Sequence, residues 1–244
     1  MEVTMRGKVL YYVCVIAFIS CCGAETPPFI TKCAVDDAKC AKAAARAAIP
    51  VMAAGVPEYD LDPLDPMFFE TMDSSSPTLK LIMKNVTMTG LKGCRALKII
   101  RNAANTNMLV QTSCDITMKG QYEMSGQLLF VPMEGKGKCL IKLRKITISN
   151  NLQLGDMIDE NGVRHWDIKS YKHSYELKDK SDLKLENLFN GNEVLARVSN
   201  QLIANSGNEI IKEVGTPIVE QVVANLLKNV NKMFHKIPAE DLEL

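Results

Sequence analysis

The sequence lacks the common signatures of a catalytic site. It contains no GxSxG nucleophile elbow, no HExxH zinc motif, no phosphate-binding P-loop, no GxGxxG dinucleotide fingerprint and no CxxC redox pair. Each of these motifs holds reactive groups or phosphate-binding amides at a fixed spacing, so their absence argues against the enzyme classes that depend on them. The chain is therefore predicted to be a binding protein that is not an enzyme.

The sequence also contains few candidate ligands for a metal ion. Two of its three histidines, His165 and His173, could fall close together on strands and bind a metal, but solvated surface histidines are the simpler expectation. Asp60, Asp62 and Asp65 could coordinate calcium. Their alternation with prolines is more typical of carboxylates that accept backbone N–H bonds in turns. Neither a metal nor another cofactor is predicted.

Neither an excess of charge nor an internal linker is present. Without the N-terminal segment described next, the chain has 27 basic and 27 acidic residues, which argues against a nucleic-acid partner and against strong attraction to anionic membranes. No Pro-, Gly- or Ser-rich stretch divides the sequence. Residues 25–244 are therefore predicted to form a single domain, and the protein is expected to be a monomer.

The N-terminus has the pattern of a secretory signal peptide. Basic residues precede the apolar run 9–22, which ends in the small residues Gly23 and Ala24. This run is shorter than the roughly 20 residues that a membrane-spanning helix needs, so a membrane anchor is the less favoured alternative. Residues 1–24 are predicted to be removed by cleavage after Gly23 or Ala24. The mature protein is then extracellular, without stable insertion into a membrane.

Five cysteines follow the predicted signal peptide, and most of them should pair in an oxidising compartment. Cys33 and Cys40 are close in sequence where a helix is predicted to begin, and we expect a disulfide between them. Cys94 and Cys114 lie symmetrically about a turn-like NAANT stretch, so they would face each other in a hairpin. Cys139 is left over, either as a buried thiol or as a bridge between two chains.

An N-terminal helix is followed by a meander of strands. The alanine-rich stretch 36–54 is predicted to be a helix that Pro50 bends or ends. From residue 79 to residue 148, apolar and polar residues alternate with period two, as in strands that are buried on one face. Turns between these strands are expected at residues 119–120 and 134–137.

Two of the predicted strands carry one extra residue in an otherwise strict alternation. The first extra residue lies between Met83 and Val86, and the second lies between Leu143 and Ile146. Such an insertion is typical of a β-bulge. Bulges at matching places would curve the sheet strongly.

The C-terminal part is predicted to be one long helix. Apolar residues repeat at intervals of three and four over about 40 residues, with a kink expected at Pro217 and the end at Pro238. An apolar stripe of this length needs a large partner surface, which the concave face of the curved sheet can provide. The predicted fold class is therefore α+β.

Periodicity alone does not distinguish a filled core from a hollow one. Five methionines on the inner face of the strands favour an adaptable pocket, namely Met83, Met88, Met108, Met118 and Met124. The residues predicted to line the resulting tunnel are Tyr122, Met124, Leu128, Phe130, Ile141, Leu143, Met83, Met88, Val110 and Val222. The Tyr122 hydroxyl is the candidate for orienting a ligand. Asn85 begins an N-glycosylation sequon that is expected at the first bulge, and either occupancy is possible.

The order of these features resembles the insect takeout/juvenile-hormone-binding protein family over nearly the whole mature chain. The residues that carry the resemblance are Cys33 and Cys40, residues 55–66 (GVPEYDLDPLDP), residues 84–86 (KNV) with Gly90 and Leu91, residues 135–137 (GKG), and residues 237–242 (IPAEDL). The hormone binders of this family have a second disulfide that reaches the C-terminal region. That bridge is missing here, because no cysteine follows Cys139.

The resemblance implies both a fold and a function. The fold is a long C-terminal helix wrapped by a highly curved antiparallel sheet, a TULIP-like super-roll with an internal apolar tunnel. The function is transport of a juvenile-hormone-like terpenoid or a fatty-acid-like molecule in a haemolymph-like fluid. The alternative is an extracellular signalling or interaction protein whose tunnel holds only structural lipid.

Overall fold

The computed structural model describes residues 27–242, apart from Ala103 and Asn105. The predicted signal peptide, residues 1–24, lies outside the described residues. Within this range there are four α-helices and seven strands: α1 Ala38–Ala54, β1 Met67–Asp73, β2 Leu79–Thr89, β3 Arg95–Arg101, β4 Asn107–Leu128, β5 Val131–Ile158, β6 Arg164–Leu177, β7 Asp182–Leu185, α2 Glu193–Asn205, α3 Gly207–Val214 and α4 Thr216–Lys236. Within this described range, none of the helices combines the length and the apolar character needed to cross a membrane.

One long hairpin, β4–β5, forms the spine of the sheet. Its register runs from the Leu128–Val131 pair at the turn to the Asn107–Gln153 pair at the far end. Near the turn, the hairpin is flanked by β2 on one edge and β7 on the other. Toward the far end, β3 and β6 take these positions. The sheet is antiparallel throughout the described strands, and β1 extends it beyond β2.

Both predicted β-bulges are present, and each contains a residue with a left-handed backbone. The register of β2 against β4 shifts between Lys84 and Thr87, where Asn85 has a φ of 50°. The register of β4 against β5 shifts at Asp115, opposite Lys145, which has a φ of 49°. The Asp115 carboxylate accepts a hydrogen bond from the Lys145 amide at 2.7 Å and so fixes this second bulge. The prediction of a bulged, curved sheet is therefore confirmed.

The turns predicted at residues 119–120 and 134–137 are wrong. Both stretches lie inside continuous strands, and the hairpin turns instead at Leu129 and Phe130, which have φ values of 48° and 65°. Glycine is the residue that most readily adopts this left-handed conformation, but the two residues at the turn have bulky side chains. The strands β4 and β5 are consequently much longer than the sequence indicates.

The glycines at residues 135 and 137 make room for a neighbouring segment. A Cβ atom on Gly135 would come within 2.7 Å of the Tyr122 hydroxyl oxygen. A Cβ atom on Gly137 would come within 2.4 Å of the Glu186 carbonyl oxygen. The segment around Glu186 and Leu188 can therefore cross the sheet closely, which explains the glycines without a turn.

The C-terminal helix is divided into three parts rather than being continuous. Breaks occur at Ser206 and at Gly215. A Cβ atom on Gly215 would lie 2.3 Å from the Ile211 carbonyl oxygen and 2.8 Å from the Tyr175 hydroxyl. That hydroxyl donates a hydrogen bond to the Ile211 carbonyl at 2.8 Å, which satisfies a group at the end of α3. Pro217 lies in the first turn of α4, where it has no helical hydrogen bond to break.

Helix α1 is longer than its proline suggests. The Asp37 carboxylate accepts hydrogen bonds from the Lys39 and Cys40 amides at 3.1 and 2.9 Å and begins the helix. The helix continues through Pro50 to Ala54, so Pro50 does not end it. Helix α1 lies over β3 and α4 lies over β6, and both cover the concave face of the sheet toward its far end.

Candidate ligand-binding site

A cavity of about 220 Å³ lies between the sheet and the helices, and we call it the central cavity. Strands β4 and β5 form its floor, while α1 and α4 form its roof. Its wall includes Leu91, Ile116, Ile146, Ile148, Ile218 and Leu226. The side chains are apolar except for those of Thr112 and Asn150, so the cavity suits a hydrocarbon with at most one or two polar groups.

A second cavity, of about 230 Å³, adjoins the first and is called the terminal cavity. Residues from both ends of the described chain line it, namely Phe29 and Ile30 at one end and Leu242 at the other. These three side chains are half-buried, so solvent reaches this side of the cavity. Arg101 and Trp166 add polar groups to its wall.

The two cavities share part of their walls. The common residues are Ala45, Met52, Ile99, Val110, Leu227 and Val230. Each cavity alone is smaller than the range of about 300 to 1,000 Å³ that is typical of small-molecule sites. The two volumes together fall within this range, so the site suits a ligand that extends across both cavities. The alanines of α1 face the sheet here, and their small side chains leave space that leucine or methionine would fill.

Both predicted disulfides are present beside these cavities. Cys33 and Cys40 are bonded, with Cα atoms 5.7 Å apart, and they hold the segment that leads into α1. Cys94 and Cys114 are bonded across the β3–β4 hairpin, with Cα atoms 4.3 Å apart, and they contribute to the wall of the central cavity. The Arg46 side chain donates a hydrogen bond from Nε to the Ala96 carbonyl at 2.9 Å and ties α1 to β3.

Asp167 connects β6 to α4 beside the terminal cavity. Its carboxylate accepts hydrogen bonds from Asn231 and His235 at 2.8 Å each, and Lys169 lies 2.6 Å away. The hydrogen bond from Lys169 is the largest of the interactions that hold the pKa of Asp167 well below its usual range. Asn231 also accepts the Ile168 amide at 2.7 Å, so α4 is fixed to the strand at two consecutive residues.

A buried cation lies in the wall of the terminal cavity. Arg101 donates a hydrogen bond to the Cys33 carbonyl at 2.8 Å, and its guanidinium carbon is 5.0 Å from the centre of the Trp166 ring. This distance is within the range of a cation–π interaction. Phe234 packs against the same indole ring edge to face at 5.4 Å. This aromatic and cationic group closes one end of the site.

A sequence profile of the haemolymph juvenile hormone binding proteins matches residues 12–243 of the chain. The chain belongs to this family. Among individual relatives, the circadian clock-controlled protein daywake of Drosophila melanogaster is 24% identical over 210 residues, which is 80% of each chain. The juvenile hormone-binding protein of Manduca sexta is 28% identical over 89 residues, which is 35% of this chain and 39% of that protein.

The fold of this family member matches a solved structure. The crystal structure of Takeout 1 from Epiphyas postvittana superimposes with a TM-score of 0.83 at 27% identity, and the match covers 88% of this chain and 99% of that one. The match confirms the predicted α+β fold, with an open, strongly curved antiparallel sheet around a C-terminal helix. The protein is thus a member of a family of hydrophobic-ligand-binding carriers.

The structure places the ten predicted tunnel residues in three different environments. Met88, Val110, Leu143 and Val222 line the central cavity. Five others are buried but line neither the central nor the terminal cavity, namely Met83, Tyr122, Met124, Leu128 and Ile141. The prediction for Phe130 is wrong, because this side chain is 95% exposed at the tip of the β4–β5 hairpin.

The Tyr122 hydroxyl has a structural partner, so the geometry does not support a role in orienting a ligand. It donates a hydrogen bond to the Glu186 carbonyl at 2.8 Å and ties β4 to the segment that crosses the sheet. Burial raises the pKa of Tyr122 to about 12. The side chain is only 2% exposed and belongs to the buried cluster of methionines and leucines. It borders a separate groove that charged and amide side chains line, and it lines neither the central nor the terminal cavity.

The sequence interpretation missed two polar residues of the central cavity. Thr112 and Asn150 lie on the inner face of β4 and β5, at positions where the alternation calls for apolar side chains. Asn150 lies between Ile148 and Leu152, both of which point inward and are buried. A polar residue at an inward position is itself a detectable signal, because an ordinary core disfavours an amide there.

The remaining candidate residues have clear positions. The Cys139 thiol is free and buried, and burial raises its pKa, so the structure favours a buried thiol over a bridge between chains. Asn85 is exposed at the bulge, as expected for a sequon that a glycan could reach. His165 is buried and not solvated as expected. Its Nδ1 donates a hydrogen bond to the Ile237 carbonyl at 3.0 Å.

The three aspartates considered as calcium ligands have separate partners. Lys236 lies 2.9 Å from the Asp60 carboxylate, and Lys232 lies 2.6 Å from that of Asp62. The Asp65 carboxylate accepts the amides of Gly90 and Lys92, so it joins two segments instead of closing its own turn. Among the residues that the structure describes, no group of histidine, cysteine, aspartate or glutamate could hold a metal ion.

Proposed function

We propose that this protein is a secreted carrier that sequesters a small lipophilic ligand in the central and terminal cavities. The observation that carries the proposal is the pair of adjoining apolar cavities under α1 and α4. The related carriers and the predicted signal peptide support the same reading. The ligand is a juvenile-hormone-like terpenoid or a fatty-acid-like molecule, since both have a long apolar body and few polar groups.

The proposed mechanism is sequestration without chemistry. Transfer of the ligand from water to the apolar walls supplies the binding energy, at about 25 cal/mol per Å² of buried apolar surface. Loss of translational and rotational freedom opposes it by several kcal/mol, which leaves a Kd roughly between micromolar and nanomolar. The protein acts as a monomer in an extracellular, haemolymph-like fluid, and it is not an enzyme.

The ligand enters, in this proposal, through the terminal cavity. The half-buried side chains of Phe29, Ile30 and Leu242 border this cavity on the solvent side. They belong to chain segments outside the helices and the sheet, so small movements there open a path without disturbing the fold. The shared wall then leads from the terminal to the central cavity.

Native mass spectrometry of the protein purified from its own source tests the proposal. We expect one small apolar ligand at a stoichiometry of one, which added ligand of the same kind exchanges. Heterogeneous lipid that cannot be exchanged would instead favour the alternative, an extracellular signalling or interaction protein with structural lipid. Protein without any bound molecule, and without affinity for apolar probes, would overturn both readings.

A further inference from the structure

Asn150 is a polar residue at a buried, inward-facing position of β5, where the surrounding side chains are apolar. It pairs with Val110 across the β4–β5 hairpin and points into the central cavity, whose wall is otherwise nearly all apolar. Its side chain is 8% exposed, and Oδ1 has no hydrogen-bond partner among the described residues. Buried polar atoms are nearly always hydrogen-bonded, so a partner from outside the chain is indicated.

The neighbouring residues on β5 show that Asn150 is the residue of this stretch that faces inward. Ser149 and Asn151 flank Asn150 and belong to the opposite face, where the Gln111 side chain donates to the Ser149 hydroxyl at 3.0 Å. Asn151 is exposed. Asparagine is also disfavoured in strands, and valine or leucine would fill the same position without an unpaired group.

A second polar group lies within reach of the same ligand. Thr112 pairs with Ile148, so it is the diagonal neighbour of Asn150 on the inner face of the hairpin. Diagonal neighbours on one face are about 7 to 8 Å apart at the backbone, close enough for two side chains to contact one small group. The amide and the hydroxyl therefore form one polar patch in the apolar wall.

We propose that the Asn150 amide, assisted by Thr112, binds a hydroxyl group on the apolar ligand. The inference rests on the proposed carrier function and specifies its ligand as a terpenoid or long-chain alcohol. A hydroxyl both donates and accepts hydrogen bonds, so it satisfies the amide whether its oxygen or its nitrogen faces the cavity. An ether or an ester only accepts, and it leaves the amide oxygen unpaired.

Two probes of equal size and different polarity test the assignment. Tetradecanol and methyl tridecyl ether have the same number of heavy atoms, but only the alcohol can donate a hydrogen bond. In displacement of a neutral fluorescent naphthylamine, we expect the wild type to bind the alcohol about tenfold more tightly. Asn150→Leu should reduce this preference to within about twofold while the ether binds as well as before or better.

The control variant is Asn151→Leu, the same change on the opposite face of the strand, which should keep the tenfold preference. Asn150→Leu should also raise the Tm of the ligand-free protein, because it removes an unpaired buried group. If Asn150→Leu does not fold, Asn150→Ala makes the same comparison with a smaller side chain. Thr112→Val should reduce the preference for the alcohol by a smaller factor.

The outcomes separate this inference from the proposed function. A wild type that binds both probes equally, or an Asn150→Leu variant that keeps the preference, would overturn the role of Asn150 and leave the carrier function intact. A wild type that binds neither probe nor the naphthylamine would overturn the carrier function itself. A preference that is lost in Asn151→Leu as well would show that the effect does not come from the cavity.

Discussion

The two ends of the β4–β5 hairpin are alike in sequence pattern and opposite in packing. Near the turn, the inner face is filled, and Met72, Leu79, Tyr122, Met133 and Leu188 are each at most 2% exposed. Toward the far end, the same alternation of apolar residues borders the central cavity. We call these regions the solid end and the hollow end. The strands contribute similar side chains to both, so the difference comes from what covers them.

The covering elements explain the contrast. At the hollow end, α1 presents alanines such as Ala45 to the sheet, and these short side chains do not reach the opposite wall. At the solid end, the segment that contains Leu188 crosses the sheet closely, because Gly135 and Gly137 allow its backbone to approach. Whether a cavity forms in this fold therefore depends more on the elements that cover the sheet than on the strands beneath them.

The largest expected effect contrasts the same truncation at the two ends. Leu128→Ala at the solid end should lower the free energy of unfolding by about 2 to 5 kcal/mol, because it leaves a void among packed neighbours. Leu226→Ala, which faces the central cavity, should cost less, since that side chain already has an incomplete set of contacts. Urea denaturation of both variants measures the difference. Equal losses would show that the two ends are packed alike.

Replacing a side chain with a larger one should be tolerated at the hollow end and should destabilise the solid end. Val110→Trp places an indole in the wall that both cavities share, and it should weaken binding of an apolar probe at least about tenfold, or 1.4 kcal/mol. Its Tm should change little, because the cavities provide the space. Leu128→Trp should leave little folded protein, since the solid end has no such space. Probe titration and thermal unfolding test the pair, and strong binding by Val110→Trp would contradict the assigned site.

A single hydrogen bond at the solid end should affect stability and not binding. Tyr122→Phe removes the bond to the Glu186 carbonyl and should cost about 1 kcal/mol of unfolding free energy. The affinity for an apolar probe should be unchanged, because Tyr122 lines neither of the two cavities. A loss of affinity in this variant, measured by the same titration, would restore Tyr122 as a ligand-orienting residue.

The smallest effect concerns acid sensitivity at the hollow end. Because the pKa of Asp167 is lowered in the folded protein, its contribution to stability is present above the unfolded pKa of about 4 and is lost as the pH falls through the folded pKa. Asp167→Asn should therefore destabilise the protein near neutral pH by at most about 1 kcal/mol and flatten the loss of stability on acidification below about pH 4. Thermal unfolding between pH 2 and pH 7 measures both changes.

Local patterns were enough to predict much of the fold. Both bulges follow from the alternation of apolar and polar residues, and the hairpin that brings Cys94 to Cys114 follows from the symmetry of the two cysteines about a turn. The errors arose where distant segments decide the local structure. Gly135 is a turn signal in isolation, but it serves a contact with Leu188, which lies more than fifty residues away.

The position of the cavity could be predicted only in part for the same reason. The alternation identifies which side chains point inward, and Leu143 and Leu128 satisfy it equally well. Whether a void lies above them depends on the alanines of α1 and on the path of the crossing segment, which no periodicity in the strands encodes. The inward Thr112 and Asn150 were local signals of the hollow end, since a filled core would disfavour polar side chains there.

The terminal cavity is lined by segments from both ends of the described range, and this has a consequence for biosynthesis. The ribosome delivers Phe29 and Ile30 early, whereas α4 and Leu242 emerge after every strand of the described chain. The terminal cavity therefore cannot be enclosed before Leu242 has been synthesised. In the carrier proposed above, an apolar molecule that is present in the compartment at that moment has access to the cavity before the helices cover it.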